Sequence, residues 1–280
     1  MAQVIDSAAA GHAALLDGRY GDGAADAALH LDQAGTIRRL LEHRSVRAFD
    51  SAPLDEAIVD TLVAAAQSAS TSSNLQSWSV VVVRDQAHKS AAATLAGDQQ
   101  FIRDAPVFLI FVADWARGAA IARGRDEASE GIGFLDSTLV ATIDAAIAAQ
   151  NAIVAAEALG LGAVFVGAVR NHPGELSALL DLPDAAFPVV GVALGWPRAD
   201  DRSQVKPRLP QVVVRHDERY RAGVPQDLEG YDRTLRRFNE SQGRAGGWLD
   251  AVVARVRSAS ALHGRERLRA ILSSRGLSSS

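Results

Sequence analysis

Five residues, His43-Arg44-Ser45-Val46-Arg47, gather two guanidinium groups, a hydroxyl and an imidazole where an apolar helical segment (Ile37, Leu40, Leu41) gives way to Ala48-Phe49-Asp50. Planar guanidinium forks meet phosphate oxygens two at a time, so Arg44 and Arg47, with the Ser45 hydroxyl, are donors that suit a terminal phosphate. His43 either joins them or caps the helix end. Taken alone, the cluster reads at least as well as a solvated helix end with surface ion pairs. A second basic pair, Lys206-Pro207-Arg208, lies far downstream. Its proline restricts the local backbone and so the directions of both cations; alone it is equally an exposed basic turn. Read together, the two patches make a cage for a dianion, which requires Arg44 and Lys206 to share a cavity.

Two further stretches carry polar or close-approach chemistry. Ser70-Thr71-Ser72-Ser73-Asn74-Leu75-Gln76 sets hydroxyls and amides just before an apolar run. It is either a loop that satisfies its own backbone or a polar wall for a flat heterocycle, with Leu75 against the ring face. Gln99, in Gly97-Asp98-Gln99-Gln100, offers one more amide. Phe165-Val166-Gly167-Ala168-Val169-Arg170-Asn171 ends a strand in small residues, which lets backbone N–H groups approach a ligand; the same pattern suits a tight strand exit. There is no G-x-G-x-x-G after a strand and no G-x-x-x-x-G-K-[ST], which argues against Rossmann and P-loop sites. The seven histidines fall in no ligand spacing, cysteine is absent, and no nucleophile stands beside a base. That leaves metal sites without a candidate and points to chemistry borrowed from an organic cofactor.

The elements that must position these residues follow from composition and periodicity. With 280 residues, 48% apolar and 22% charged, the chain has enough apolar content for a sizeable core. Its net charge of −4 offers no broad nucleic-acid or membrane surface. The absence of cysteine fits a reducing compartment, and residues 1–20 carry Asp6 and Asp17 without a basic residue ahead of their apolar run, so no signal peptide is predicted. Residues 1–33, rich in Ala, Gly and Asp, are expected to be a loosely attached extension, with a short helix at about 24–31. Helices are predicted over 35–43, from Pro53 onward, over 88–96 and over 175–180. Strands are predicted over 78–83, 105–113, 163–167 and 188–195, the second covered on both faces. Residues 116–134 read as a mobile, Gly-rich excursion. The longest apolar segment, 135–161, is interrupted by Asp144, Gln150, Asn151 and Glu157 and reads as a buried helix over 138–159 rather than a membrane span, with Gly160 as its cap. Beyond Pro210, helices are expected over 228–240 and, unbroken, over 249–272. The fold class is α+β with a C-terminal helical excursion (about 211–280).

In combination and order, His43-Arg44-Ser45-Val46-Arg47, Ser72-Ser73-Asn74-Leu75-Gln76, Gly160-Leu161-Gly162 with Val166-Gly167-Ala168-Val169-Arg170-Asn171, and Leu194-Gly195-Trp196-Pro197 with Lys206-Pro207-Arg208-Leu209-Pro210 resemble the nitroreductase family. The likeness is to its NADPH-dependent, oxygen-insensitive nitroreductase and flavin reductase branch and runs from about Gly35 to Leu277. It implies an α+β sandwich around a mostly antiparallel sheet, an intertwined homodimer, and one tightly bound FMN at each subunit interface within residues 34–280. By the same resemblance His43, Arg44, Ser45, Arg47, Lys206 and Arg208 hold the phosphate and ribityl region. Ser72, Ser73, Leu75 and Gln99 line the flavin, and Val166, Gly167 and Ala168 lie near its N5 edge. The 138–159 helix is the central dimer element. Ala168 stands where close relatives often have a second glycine, and residues 1–33 have no counterpart. For the NADPH 2′-phosphate, Arg265 is the best match and Arg244 the second.

The resemblance implies a cytoplasmic ping-pong oxidoreductase that carries two electrons from NADPH to nitroaromatic, quinone or flavin acceptors. Lys206 is its electrostatic stabiliser, and neither nucleic acid nor membrane is a partner. One alternative keeps the flavin without turnover, as a storage or sensor protein; another is a dimeric interaction protein whose arginines bind an acidic partner.

Overall fold

In the computed structural model the described residues are Asp17, Arg19, 35–222 and 228–277; the helix expected at 24–31 lies outside them. The chain divides into two compact units, residues 1–44 with 202–261 and residues 45–201 with 262–280.

The second unit is built on a four-stranded sheet of β1 (Trp78–Val83), β2 (Val107–Asp114), β3 (Gly162–Val166) and β4 (Ala186–Gly195), in the order β1-β2-β4-β3. Every pairing is antiparallel, and a register shift between Phe111 and Val112 interrupts the β2–β4 ladder. The predicted strands are found within two residues, because β-branched and aromatic runs bounded by turns leave little choice of register. Successive side chains of β2 enter opposite cores. Val107, Leu109, Phe111 and Ala113 pack with helices α2 (Glu56–Gln67) and α6 (Leu135–Ala158). Phe108, Ile110 and Val112 pack with α3 (Gln86–Leu95) and α7 (Pro173–Leu179). Both faces of β2 are therefore covered, as its continuous apolar sequence predicts.

α6 meets the sheet through Ala141, Ala145, Ala148, Ala149, Ala152 and Ala156, whose small side chains allow close approach. The expectation of a buried helix holds for this face. The opposite face exposes Leu135, Leu139, Ile143 and Ile147.

The structure goes beyond the sequence reading in three places. Residues 116–134, read as a mobile, Gly-rich excursion, contain α5 (Ala116–Arg123) and a 3-10 turn over Glu130–Gly133. Asp114 starts α5 by accepting the Ala116 N–H (3.0 Å), and the Trp115 indole closes the segment's base on the Ser137 carbonyl (2.7 Å). A short helix, α4 (Gln100–Asp104), follows Gln99 where none is predicted. Last, residues 249–272 do not form one helix. They break into α10 (Trp248–Val256), 3-10 turns over Ala259–Leu262 and Arg265–Arg267, and α11 (Leu268–Ser274). The first interruption follows Val256, and a second sits at His263 and Gly264, both left-handed (φ 54° and 89°). There the backbone passes so close to Asn171 that a Cβ on Gly264 would lie 2.9 Å from the Asn171 carbonyl oxygen. Beyond α11, Arg275 donates to the carbonyls of Leu182, Pro183 and Ala186, and Leu277 is fully buried in the core under α6.

In the first unit α1 (Thr36–Glu42) and the extended 202–210 segment are joined by α8 (Gln211–Val214), α9 (Leu228–Ser241) and α10. Asp232 of α9, 6% exposed, accepts the Leu249 N–H at the start of α10 (2.8 Å) and the Arg236 Nε–H (2.7 Å). A Cβ on Gly247 would fall 2.2 Å from an Asp232 oxygen, so any larger residue there must displace the carboxylate.

Candidate functional site

Within the sheet unit, Ser45 bridges Ala163 at the start of β3, and the Val46 N–H donates to the Ala163 carbonyl (3.1 Å). Val46 is buried, while Arg47 beside it is exposed, with its guanidinium 5.7 Å from the centre of the Phe101 ring. Phe101 belongs to α4, whose N-cap residue is Gln99. The Gln99 amide donates to the Ala96 carbonyl (2.8 Å).

β3 ends at buried Val166 and passes into a 3-10 turn over Gly167–Arg170, fastened inward by the fully buried Val169 and by Arg170, which donates to the Val189 carbonyl. Gly97, left-handed at φ 81°, faces this turn: a Cβ there would lie 3.6 Å from Ala168 Cβ and from Asn171 Nδ2, and 3.9 Å from Gln99 Nε2. Arg265 reaches the same place from the C-terminal segment, its Nε–H donating to Asn171 Oδ1 (2.9 Å). The structure thus gathers Gln99, Ala168 and Arg265 around Asn171, with Arg47 linked through Phe101. These contacts do not include the Ser72–Gln76 loop.

That loop is held separately. Ser72 through Gln76 are all exposed, and Leu75 at 57% is an apolar side chain framed by amides. Ser73, Asn74 and Gln76 have left-handed backbones (φ 49°, 55° and 52°) without being glycine. Asp144 of α6 fastens it from below: Oδ1 accepts the Ser72 N–H (3.1 Å), and Oδ2 accepts the Ser77 N–H (3.2 Å) and hydroxyl (2.8 Å). From the side, Arg117 of α5 donates to the carbonyls of Gln76 (2.6 Å) and Trp78 (3.1 Å). A cleft of about 320 Å³ opens here, lined by Gln67, Leu75, Gln76, Trp78, Ser79 and Arg117 among others.

In the first unit His43 is the C-cap of α1 and Arg44 follows it. Arg19 donates to the Leu40 carbonyl of α1 (3.2 Å), and its own carbonyl accepts the Arg208 N–H (2.7 Å). One buried residue therefore ties α1, next to His43 and Arg44, to the Lys206–Arg208 segment. Arg208 Nη1 donates back to the Lys206 carbonyl (3.4 Å), and the Tyr231 hydroxyl donates to that of Pro207 (3.3 Å). Burial pushes the Tyr231 phenol up, against the opposing pull of the Arg208 charge. Arg244 is exposed on the turn between α9 and α10.

Sequence reasoning missed Asp144, Arg117 and the convergence on Asn171. For Asp144 a signal existed: it is a carboxylate inside the longest apolar segment, and such a group needs donors if the segment is buried. For Arg117 and Asn171 no local signal distinguishes them from other surface residues.

Within the sheet unit, hydroxyls at Ser45, Ser72 and Ser73, the Gln99 amide, the exposed Leu75 and the Arg47 cation are groups that a flat cofactor with a polar edge and an anionic tail would need; the first unit by itself carries cations at Arg44, Lys206 and Arg208. A model of the nitroreductase family matches residues 40–196, and one of that family's C-terminal domain matches residues 206–280. The chain is 41% identical over 205 residues to the FMN reductase (NAD(P)H) of Bacillus subtilis (strain 168), covering 72% of this chain and 82% of that protein. It is 36% identical over 220 residues to the oxygen-insensitive NADPH nitroreductase of Salmonella typhimurium, covering 78% and 89%. Among solved structures, B. megaterium NfrA2 superposes with a TM-score of 0.82 at 35% identity, over 88% of this chain and 98% of that one.

Proposed function

The chain belongs to the nitroreductase family, and on that premise we propose that it is an FMN-dependent oxidoreductase, taking two electrons from NADPH and passing them by a ping-pong sequence to nitroaromatic, quinone or flavin acceptors. The observation that carries this reading is the gathering of Gln99, Ala168, Asn171 and Arg265 at the end of β3, with Arg47 beside it. Bound FMN supplies the two-electron chemistry.

The chain's own residues place and polarise. His43, Arg44, Ser45, Arg47, Lys206 and Arg208 receive the phosphate and ribityl end through charge-assisted bonds. Ser72, Ser73, Leu75 and Gln99 line the ring. The backbone of Val166, Gly167 and Ala168 would border the ring, where small residues keep the approach open. Lys206 would supply a preorganised positive charge to the bound group. Arg265 receives the NADPH 2′-phosphate, its guanidinium steadied by Asn171, and Arg244 is the second candidate for that role. No side chain is required as a general acid, since solvent can deliver the proton.

The functional unit is a homodimer that buries the exposed α6 stripe of Leu135, Leu139, Ile143 and Ile147. Residues 34–280 form its FMN-binding part, and residues 1–33 are an extension to it. The absence of cysteine suits a cytoplasmic enzyme.

The test is direct. The purified protein should show the visible flavin band, release FMN on denaturation and oxidise NADPH when a quinone is added. A colourless protein that fails to take up FMN overturns the proposal, and flavin without turnover leaves only a storage or sensor role. Arg47→Ala should weaken FMN retention with the fold intact; unchanged occupancy removes Arg47 from the phosphate site.

A further inference from the structure

We propose that Asp144, a residue of the dimer-type helix and not of any ligand-lining loop, is the positioning residue that sets the shape of the Ser72–Gln76 loop for the flavin. The inference rests on the reading of that loop as part of the FMN site.

Three observations carry it. Asp144 is 2% exposed, and its two oxygens are taken by Ser72 N–H on one side and by Ser77 N–H and hydroxyl on the other. The carboxylate thus fastens both ends of the loop at once. Between those ends lie the three left-handed non-glycine residues, Ser73, Asn74 and Gln76. L-residues avoid this conformation because Cβ crowds the backbone, and they persist in it only where the surroundings over-determine them. The bonds within the loop are few and mostly long: Leu75 N–H to the Ser72 carbonyl (2.9 Å), Asn74 N–H to that of Thr71 (3.4 Å), and the Gln76 amide to the Asn74 carbonyl (3.5 Å) and Oδ1 (3.4 Å). Finally, Ser72 through Gln76 are all exposed, so the strained segment contributes nothing to the core. A buried carboxylate and unfavourable backbone angles are both committed to a surface whose side chains point to solvent, which is the signature of a binding surface.

The residue type follows from the donors. All three are neutral, and among the described residues no cation pairs with Asp144. A carboxylate accepts at both oxygens, with bonds stronger than an amide oxygen makes. Asparagine would turn an N–H₂ toward one end of the loop, where only donors wait.

The experiment compares Asp144→Asn with wild type, measuring the FMN dissociation constant by recovery of flavin fluorescence and the visible spectrum of the bound flavin. Asp144→Asn should bind FMN at least about tenfold more weakly, consistent with losing a hydrogen bond to a charged group, and should shift the flavin band. Asn151→Ala, on the same helix and bonded to the Ala65 carbonyl, is the control for simple damage and should leave FMN affinity within about twofold of wild type. Adding Asn74→Gly to Asp144→Asn should restore part of the affinity, because glycine adopts the left-handed angle without external support. If Asp144→Asn does not fold, Ser77→Ala removes only the hydroxyl bond and should weaken FMN about threefold or more. Wild-type affinity in Asp144→Asn, or in Ser77→Ala where that replaces it, overturns the inference while FMN binding by the wild type stands. Loss without any recovery in the glycine double variant also overturns it. A wild type that takes up no FMN instead overturns the underlying reading.

Discussion

Two buried carboxylates on helices do similar work with different partners. Asp232 of α9 holds the start of α10, and a guanidinium, Arg236, shares the load; Arg236 also bonds Asp250 (2.6 Å). Asp144 of α6 holds the Ser72–Ser77 segment with neutral donors alone. The segment Asp232 fastens is a regular helix, which would want an N-terminal acceptor anyway. The segment Asp144 fastens is one the chain would not otherwise adopt. The first carboxylate completes a structure that local preference already favours; the second imposes one that it opposes. Sensitivity to losing the carboxylate should therefore differ in kind as well as in size.

The largest effect is expected from Asp144→Ala. It strands three donors and releases the left-handed residues, and should lower unfolding free energy by about 2–4 kcal/mol, measured by chemical denaturation, with FMN affinity falling alongside. Next comes Gly247→Ala, whose new Cβ must displace the Asp232 carboxylate. A loss of about 1–3 kcal/mol is expected, with FMN affinity unchanged. Equal flavin loss in both variants would erase the distinction between the two carboxylates.

A smaller effect is a pH dependence. The Leu249 N–H first, and then the Arg236 guanidinium, hold the Asp232 carboxyl below the usual carboxylate range. A depressed folded-state value means the contribution is complete above the ordinary range and is lost as pH falls through the lowered value. Thermal melts from neutral to acid should drop more steeply for wild type than for Asp232→Asn; parallel curves would show that Asp232 contributes nothing through its charge. The smallest effect is Asn74→Gly in the wild-type background. Relief of the left-handed angle is offset by the greater freedom of glycine in the unfolded chain, so the change should stay within about 1 kcal/mol. A large loss would mean that the Asn74 side chain, not the backbone angle, is what the loop requires.

The sequence was most legible where local chemistry decides the outcome. The four strands follow from β-branched runs, and α6 stops just before Gly160, left-handed at φ 83°, as the glycine predicts. It was least legible where distant segments decide. Asp144 reads along the chain as a polar interruption of an apolar helix; its partners lie 72 and 67 residues earlier. Asn74 is a residue type that tolerates a left-handed backbone, but nothing in Ser73 or Gln76 announces one. The second interruption of the predicted 249–272 helix has the same origin: Gly264 departs from helical geometry where the backbone passes against the Asn171 carbonyl. Gln99 was legible only as one more amide and Arg265 only through family resemblance, and Asn171, the residue joining Arg265 to the β3 turn, has no pattern of its own.

The burial of Leu277 beneath α6 has a consequence for biosynthesis. All four strands are complete once residue 195 has been made, yet the groove that receives Arg275 and Leu277 stays open until some eighty further residues have left the ribosome. A nascent chain stalled in that interval presents uncovered carbonyls at Leu182, Pro183 and Ala186 beside an incomplete core, and is the species a chaperone would be expected to meet.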